Sequence, residues 1–160
     1  MISVPRPRHL HPFPARMAPD VALRKIEALT DPGATVLDPM CGSGTVPRIA
    51  IAERRKAIAC DIDPLAVLLT RTACKPVWSI DLETRARGVV NEARQLDDAL
   101  PQWIADDEDS LEYVNFWFAD TQRVALSRIA RVLKLRGVQD DPLRLALSRI
   151  IVTKDGGASL

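Results

Sequence analysis

A chain of 160 residues with 47% apolar side chains is long enough to build one hydrophobic core. Its net charge of +1 gives no global attraction to nucleic acid, and its apolar runs are too short to cross a membrane. Three cysteines without C-x-x-C spacing predict reduced thiols and no zinc site, and the lack of a charged-then-apolar leader predicts a cytoplasmic location.

Proline dominates the first segment, residues 1–19. We predict that this segment is extended and packs over a sheet edge or a ligand, because its prolines oppose regular structure of its own. His9 and His11 have no acidic or thiol partner nearby, so no metal site is predicted. The spacing of apolar residues then predicts a helix over 21–29, which the turn at 30–33 (TDPG) ends.

A buried parallel strand is predicted at 34–38 (ATVLD), because a short β-branched run there ends in a carboxylate. Pro39 stops this strand. Gly42 and Gly44 then supply either backbone with positive φ or room for a ligand against bare main chain. A helix predicted over 46–54 would point its unpaired N–H groups back at whatever the turn holds.

A second strand is predicted at 56–61, and it ends in Asp61, 23 residues after Asp38. In a doubly wound sheet this carboxylate lies where a ribose presents its hydroxyl groups. Residues 20–75 are therefore predicted to form a strand–helix–strand region that binds a nucleotide-like ligand.

The rest of the chain is predicted to be mostly helical. Asp63 suits a helix N-cap and Pro64 suits the first helical position, so a helix is predicted over 65–74. Residues 76–160 contain no strand that we predict with comparable clarity. Apolar periodicity there predicts helices over 82–100, 120–135 and 142–152.

Three features of this helical region have competing interpretations. Trp117, between Phe116 and Phe118, is predicted to join a core cluster under the helices, and stacking on a base is the alternative. The acidic run 106–109 is predicted to be a solvated loop or the start of a helix. A solvated basic face, with contact to DNA phosphates as the alternative, is predicted for Arg128, Arg131 and Lys134.

The pattern of the glycine turn narrows the class of its ligand. A nicotinamide fingerprint needs G-x-G-x-x-G/A, but Pro47 stands where the third small residue should be, and no Lys follows to meet a triphosphate. Residues 38–45 (DPMCGSGT) instead resemble the S-adenosylmethionine-binding motif of methyltransferases that modify exocyclic amines of nucleic-acid bases.

Three further segments resemble one branch of that group, the bacterial DNA methylases of the N-4/N-6 type. Residues 11–16 (HPFPAR) look like the segment that precedes the glycine loop there, with Phe13 at the aromatic position near the cofactor. Residues 61–66 (DIDPLA) look like the end of the family's second strand, and residues 146–160 resemble an internal segment. The resemblance implies S-adenosylmethionine as cofactor and DNA as partner.

The turn chemistry and the resemblance together imply a set of cofactor-binding residues. For Asp38, a cap of the turn and a water-bridged contact to the methionine part of the donor are equally good interpretations. Cys41 is interpreted as a small packing residue and not as a nucleophile, because no His/Asp pair is recognisable around it. The implied cofactor-binding residues are Phe13, Asp38, Pro39, Cys41, Gly42, Ser43, Gly44, Thr45, Asp61 and Ile62.

The catalytic motif of that family, (Asp/Asn/Ser)-Pro-Pro-(Tyr/Phe), does not occur, since the chain contains no Pro-Pro dipeptide. No catalytic residue is therefore named. We expect residues 1–160 to form a single, incomplete α/β domain with a Rossmann-like S-adenosylmethionine-dependent methyltransferase fold and a mostly helical C-terminal half. With only two clear strands, its sheet should expose an edge and an apolar face. A downstream segment or a subunit would supply the catalytic motif.

Two other functions stay open at the level of sequence. Residues 38–45 also resemble the THUMP-associated RNA guanine methylases, although the segment at 11–16 argues against them. A non-catalytic S-adenosylmethionine-binding subunit, whose partner supplies the acceptor site, is the second alternative. A dehydrogenase is disfavoured by Pro47.

Overall fold

The structure, a computed structural model, describes residues 17–75 and 79–151. Internal contacts divide the chain into two compact units, residues 1–76 and 77–160. We call the described part of the first the turn unit and that of the second the helical unit. Phe13 and most of the proline-rich segment lie outside the described residues.

The turn unit alternates helices and strands. Its elements are α1 (Pro19–Leu29), β1 (Thr35–Asp38), α2 (Thr45–Ala52), β2 (Lys56–Ala59) and α3 (Pro64–Cys74). The two strands pair in parallel, with Thr35 opposite Lys56 and Asp38 opposite Ala59, and α2 is the crossover between them. The predicted parallel pair is thereby confirmed, as a small two-stranded sheet in a helix-rich unit. The burial predicted for the first strand is wrong, because exposed and half-buried residues alternate along β1. A complete Rossmann-like sheet is not established by these two strands.

One face of this sheet is covered and the other is open. The covered face packs on a buried cluster from α1 and α2, which consists of Ala22, Ile26, Ile49 and Ala50. Side chains alternate across a strand, so Val36 and Ala57 face this cluster while Leu37 and Ile58 face away from it. Leu37 is 63% exposed and Ile58 is 54% exposed, which confirms the expected apolar sheet face.

Polar side chains fix the ends of two helices in the turn unit. The Asp63 carboxylate accepts a hydrogen bond of 2.8 Å from the Leu65 N–H, so the predicted N-cap of α3 is confirmed. At the end of α1, the Arg55 guanidinium donates 2.6 Å to the Thr30 carbonyl oxygen and 3.2 Å to the Thr30 hydroxyl. This contact ties the C-terminus of α1 to the residue that precedes β2 in the sheet.

The helical unit contains only helices among its described residues, 79–151. They are α4 (Ser79–Ala93), α5 (Gln102–Ala105), α6 (Glu108–Trp117), α7 (Asp120–Leu135), a 3₁₀ turn (Val138–Asp140) and α8 (Asp141–Ile151). Its core joins α4 and α7 through Val89, Ala93, Val132 and Leu133. Within the two described ranges, no helix is both long enough and apolar enough to span a membrane.

Two carboxylates at the start of α8 are buried with their cations. Asp140, which is 1% exposed, lies 3.2 Å from the Arg85 guanidinium and 3.4 Å from that of Arg136. Asp141 lies 2.9 Å from the Arg144 guanidinium. Because an unpaired buried charge would be strongly destabilising, these guanidinium groups compensate the burial of the two acids.

The helix boundaries partly follow the sequence. The predicted helix over 120–135 is α7 without change, and the acidic run begins α6, with the Asp107 carboxylate accepting 2.9 Å from the Ser110 N–H. In contrast, α4 ends at Ala93 instead of continuing to 100, and the short helix α5 was not predicted.

The predicted core position of Trp117 is wrong. Trp117 is 48% exposed and Phe116 is 77% exposed. The reason is helical spacing: Val114 and Phe118, four residues apart, occupy the half-buried side of α6, which leaves the neighbouring positions on the solvent side.

The predicted basic face of α7 lies at the surface, but its two arginines are paired with acids, which the sequence did not predict. Arg128 lies 2.5 Å from the Asp98 carboxylate and Arg131 lies 2.6 Å from that of Asp97, and both side chains are only 28% exposed. These guanidinium groups hold the segment after α4 and are not free for DNA phosphates.

Candidate functional site

The candidate site is the glycine turn that connects β1 to α2. Its backbone is left-handed at Gly42, with φ of 49°, and at Gly44, with φ of 77°. The Cys41 N–H donates to the Cys60 carbonyl oxygen at 2.9 Å, which extends the sheet pairing beyond the strands. The Gly44 N–H donates to the Cys41 carbonyl oxygen at 2.8 Å and closes the turn. The sequence expectation of positive φ at both glycines is confirmed.

Gly44 has a second constraint, which comes from α3 and not from a ligand. A Cβ atom at this position would lie 2.8 Å from the Thr70 hydroxyl oxygen and 2.9 Å from the Thr70 Cα atom. The space beside Gly44 is therefore already occupied by a helix of the same unit. From the sequence alone, room for a ligand was one possible reason for glycine at this position. The structure gives another reason at Gly44, which is close packing against α3.

Asp61 joins the two strand ends. One oxygen of its carboxylate accepts a hydrogen bond of 2.8 Å from the Gly42 N–H, and the other accepts 3.0 Å from the Asp63 N–H. These two backbone donors, with Asp63 the stronger, hold the pKa of Asp61 below its ordinary value. The carboxylate is thus a fixed negative charge at the carboxyl edge of the sheet.

Thr70 is a site residue that sequence analysis missed. It is 6% exposed on α3, and its hydroxyl oxygen lies 3.2 Å from both the Gly42 carbonyl oxygen and the Cys41 sulfur. Its single hydrogen is placed to donate to either of these two acceptors. The only available signal was a polar residue on the apolar face of a predicted helix, which does not reveal its partner.

Cys41 is buried behind the turn. Burial raises the pKa of its thiol, so the sulfur is protonated near neutral pH and is a poor nucleophile. Its backbone N–H and C=O are both used inside the turn, as described above. Together with Pro47, Thr70 and Cys74, it lines a cavity of about 340 Å³ between α2, β2 and α3. Cys41 is therefore a packing residue, and its backbone polar groups are already hydrogen-bonded within the protein.

The outer side of the turn keeps free polar groups. Among the described residues, the backbone N–H groups of Ser43, Thr45 and Val46 have no hydrogen-bond partner, and no side chain caps α2. The Asp38 carboxylate accepts a weak hydrogen bond of 3.2 Å from the Met40 N–H. Unpaired N–H groups at a helix start favour an anionic or strongly polar ligand.

The structure therefore brings most of the sequence-predicted residues to one edge of the sheet. Asp38, the turn and Asp61 meet there, and Ile62 beside them is fully exposed, with a relative accessibility of 101%. Pro39 is exposed as well, while Ser43 and Thr45 are half-buried. Their roles toward a ligand remain predictions.

Comparison with known proteins identifies the class of this region. A family model described as DNA methylase matches residues 3–71, a range that runs from before α1 into α3 and includes the whole glycine turn. No curated protein and no solved structure matches the chain significantly. The resemblance to N-4/N-6 DNA methylases is thereby confirmed for this part of the chain, and a DNA methyltransferase-like function is supported for it.

Proposed function

We propose that residues 1–75 bind S-adenosylmethionine as the donor part of a methyltransferase that acts on an exocyclic amine of adenine or cytosine in DNA. One observation carries the proposal: the parallel strand pair holds the Asp61 carboxylate 2.8 Å from the Gly42 N–H of a left-handed glycine turn. The family match over residues 3–71 supports the same assignment, since DNA methylases in general use this cofactor.

The residues at the turn fit the donor in polarity and shape. Each oxygen of the Asp61 carboxylate has a lone pair left after its backbone hydrogen bond, and these lone pairs can accept the ribose hydroxyl groups. The free N–H groups at the start of α2 suit the carboxylate of the methionine part. Ile62 offers an exposed apolar side chain beside Asp61, as an adenine ring requires.

The acceptor side of the reaction is proposed to lie elsewhere than in the turn unit. When bound, the donor supplies an electrophilic methyl group on a positively charged sulfur. A target amine has to be held in line behind that methyl group and has to lose a proton, and both demands require positioned polar groups. The Pro-Pro-aromatic motif that does this in the family does not occur in the sequence. A further segment or a subunit is the proposed source of these groups.

Titration calorimetry of the whole chain tests the donor assignment. We expect binding of S-adenosylmethionine and its demethylated product, and no comparable binding of NAD. Asp61→Asn should weaken binding by about 10- to 100-fold, because a charged acceptor of the ribose hydroxyl groups is lost.

A glycine pair provides the matched control. Gly44→Ala meets Thr70 and should abolish binding, whereas Gly33→Ala, at φ of 89° with no atom within 4 Å of the added Cβ, carries the same backbone strain away from the site. Circular dichroism checks that both variants fold. Equal affinity for NAD, or full binding by folded Gly44→Ala together with full binding by Asp61→Asn, would overturn the assignment.

A further inference from the structure

A second cavity lies inside the helical unit, among α5, α6, α7 and α8, and the candidate site uses none of its residues. Its volume is about 450 Å³, which is within the range of ligand and side-chain pockets. Most of its lining is apolar, and the main apolar residues are Pro101, Ile104, Val114, Phe118, Leu126 and Leu147.

Exposed aromatic rings line this cavity and continue beside it along α6. Trp103 and Tyr113 line it and are 62% and 60% exposed. The ring of Trp117 lies 6.2 Å from that of Tyr113, and the ring of Phe116 lies 5.1 Å from that of Trp117, so the four residues include a continuous aromatic row along α6. A row of exposed aromatic side chains beside an apolar cavity is typical of a binding surface.

The same segment is strongly negative. Residues 96–121 carry eight acids and no base. Three of these acids pair with arginines of α7, and Asp107 caps α6. Among the described residues, no ion-pair partner exists for the other four, which are Asp106, Glu108, Asp109 and Glu112. Asp109 lines the cavity, as does Arg123, whose charge is paired with Asp120, and the other three acids lie on or next to the same helix, α6. The segment beside the cavity therefore has a net negative charge.

We infer that this surface docks a basic amphipathic helix of a partner protein. The surface, which we call the acidic–aromatic groove, consists of the cavity together with Trp103, Tyr113, Phe116, Trp117 and the four unpaired acids. The bulky apolar residues of such a helix, spaced three or four apart, fit the cavity and the aromatic row. Its flanking Lys or Arg residues form ion pairs with the carboxylates and cation–π contacts with the exposed rings.

Charge excludes the main alternatives for the occupant. Nucleic acid and anionic lipid surfaces carry negative charge, so the four free carboxylates repel both. A small apolar ligand would fill the cavity but would leave the aromatic row and the acids unused. The inference rests on the helical unit alone and does not depend on the proposed donor site.

Fluorescence anisotropy with the whole chain and a defined probe tests the inference. The probe is a labelled amphipathic Leu/Lys peptide of about four helical turns, and its matched control has Glu in place of every Lys. We expect saturable binding of the Lys peptide only, which weakens with added salt because part of the attraction is electrostatic. Equal binding of the two peptides, or binding of neither, would contradict the inference.

Substitutions locate the binding on this surface. Two variants should each lower the affinity for the Lys peptide by at least about tenfold. They are the double variant Asp106→Lys with Glu112→Lys and the single variant Trp117→Ser. The matched controls are Glu27→Lys, an exposed acid of α1, and Leu135→Ser, which is 89% exposed at the end of α7. If the control variants lower the affinity for the Lys peptide as much as the groove variants do, the assignment is overturned. Sedimentation that shows a dimer of the chain abolished by Trp117→Ser would also overturn it, in favour of a second copy as occupant.

Discussion

At the scale of single residues, Thr70 and Asp61 hold the glycine turn from opposite sides. Asp61 binds the Gly42 N–H and Thr70 lies 3.2 Å from the Gly42 carbonyl oxygen, so both polar groups of one peptide-bonded glycine are fixed by side chains. Pre-organised backbone of this kind reduces the ordering that a ligand would otherwise have to impose. The geometry of the turn is therefore set before any ligand binds.

Removing the Thr70 hydroxyl tests its role in positioning the turn. Thr70→Val keeps the shape of the side chain but leaves the Gly42 carbonyl oxygen without its donor, so we expect the free energy of unfolding to fall by about 1–3 kcal/mol. Thr70→Ser keeps the hydroxyl and should retain both stability and donor affinity. Urea unfolding and calorimetric titration measure the two effects. If Thr70→Val equals the wild-type chain in stability and in donor affinity, the Thr70 hydroxyl does not position the turn and Thr70 is only a packing residue.

At the scale of elements, local signals determined what could be predicted. Asp63 with Pro64 defined the start of α3, and the limits of α7 followed from apolar periodicity between Asp120 and Gly137. Both depend on neighbouring residues in the chain. The position of Thr70 against Gly44 is a contact between residues 26 apart, which no local pattern encodes.

What the sequence did not predict in the helical unit has the same origin. Trp117 has the composition of a core residue, but which side of α6 faces inward is decided by packing against other helices. Arg128 and Arg131 have the spacing of a surface stripe, but their partners, Asp98 and Asp97, are 30 and 34 residues away in the sequence. Tertiary pairing thus overrides an interpretation based on one element.

The N-terminal segment gives a prediction for an element that lies outside the described residues. Deleting residues 2–16 leaves α1 and its core residue Ile26 in place, so helix content should change little. If the segment covers the donor site, as the sequence predicts, affinity for S-adenosylmethionine should fall. The point variant Phe13→Ala should reproduce part of that loss. Unchanged affinity in both would remove Phe13 from the site.

At the scale of the whole molecule, donor binding and methyl transfer should separate. The chain has a glycine turn with a strand-end carboxylate but no Pro-Pro-aromatic motif to hold an extruded base. Incubated alone with radiolabelled donor and mixed DNA, it should give only background incorporation, because in-line placement of the acceptor is missing. Clear incorporation that disappears in Gly44→Ala would refute this expectation and would place an acceptor site within these 160 residues.

The open face of the sheet has a consequence for the behaviour of the chain in concentrated solution. Leu37 and Ile58 present two adjacent apolar side chains to water, and among the described residues neither outer edge of the strand pair is covered by another strand. Such an edge is a template on which another chain can add. Self-association through this edge and the apolar face beside it should therefore increase as the concentration of the chain rises.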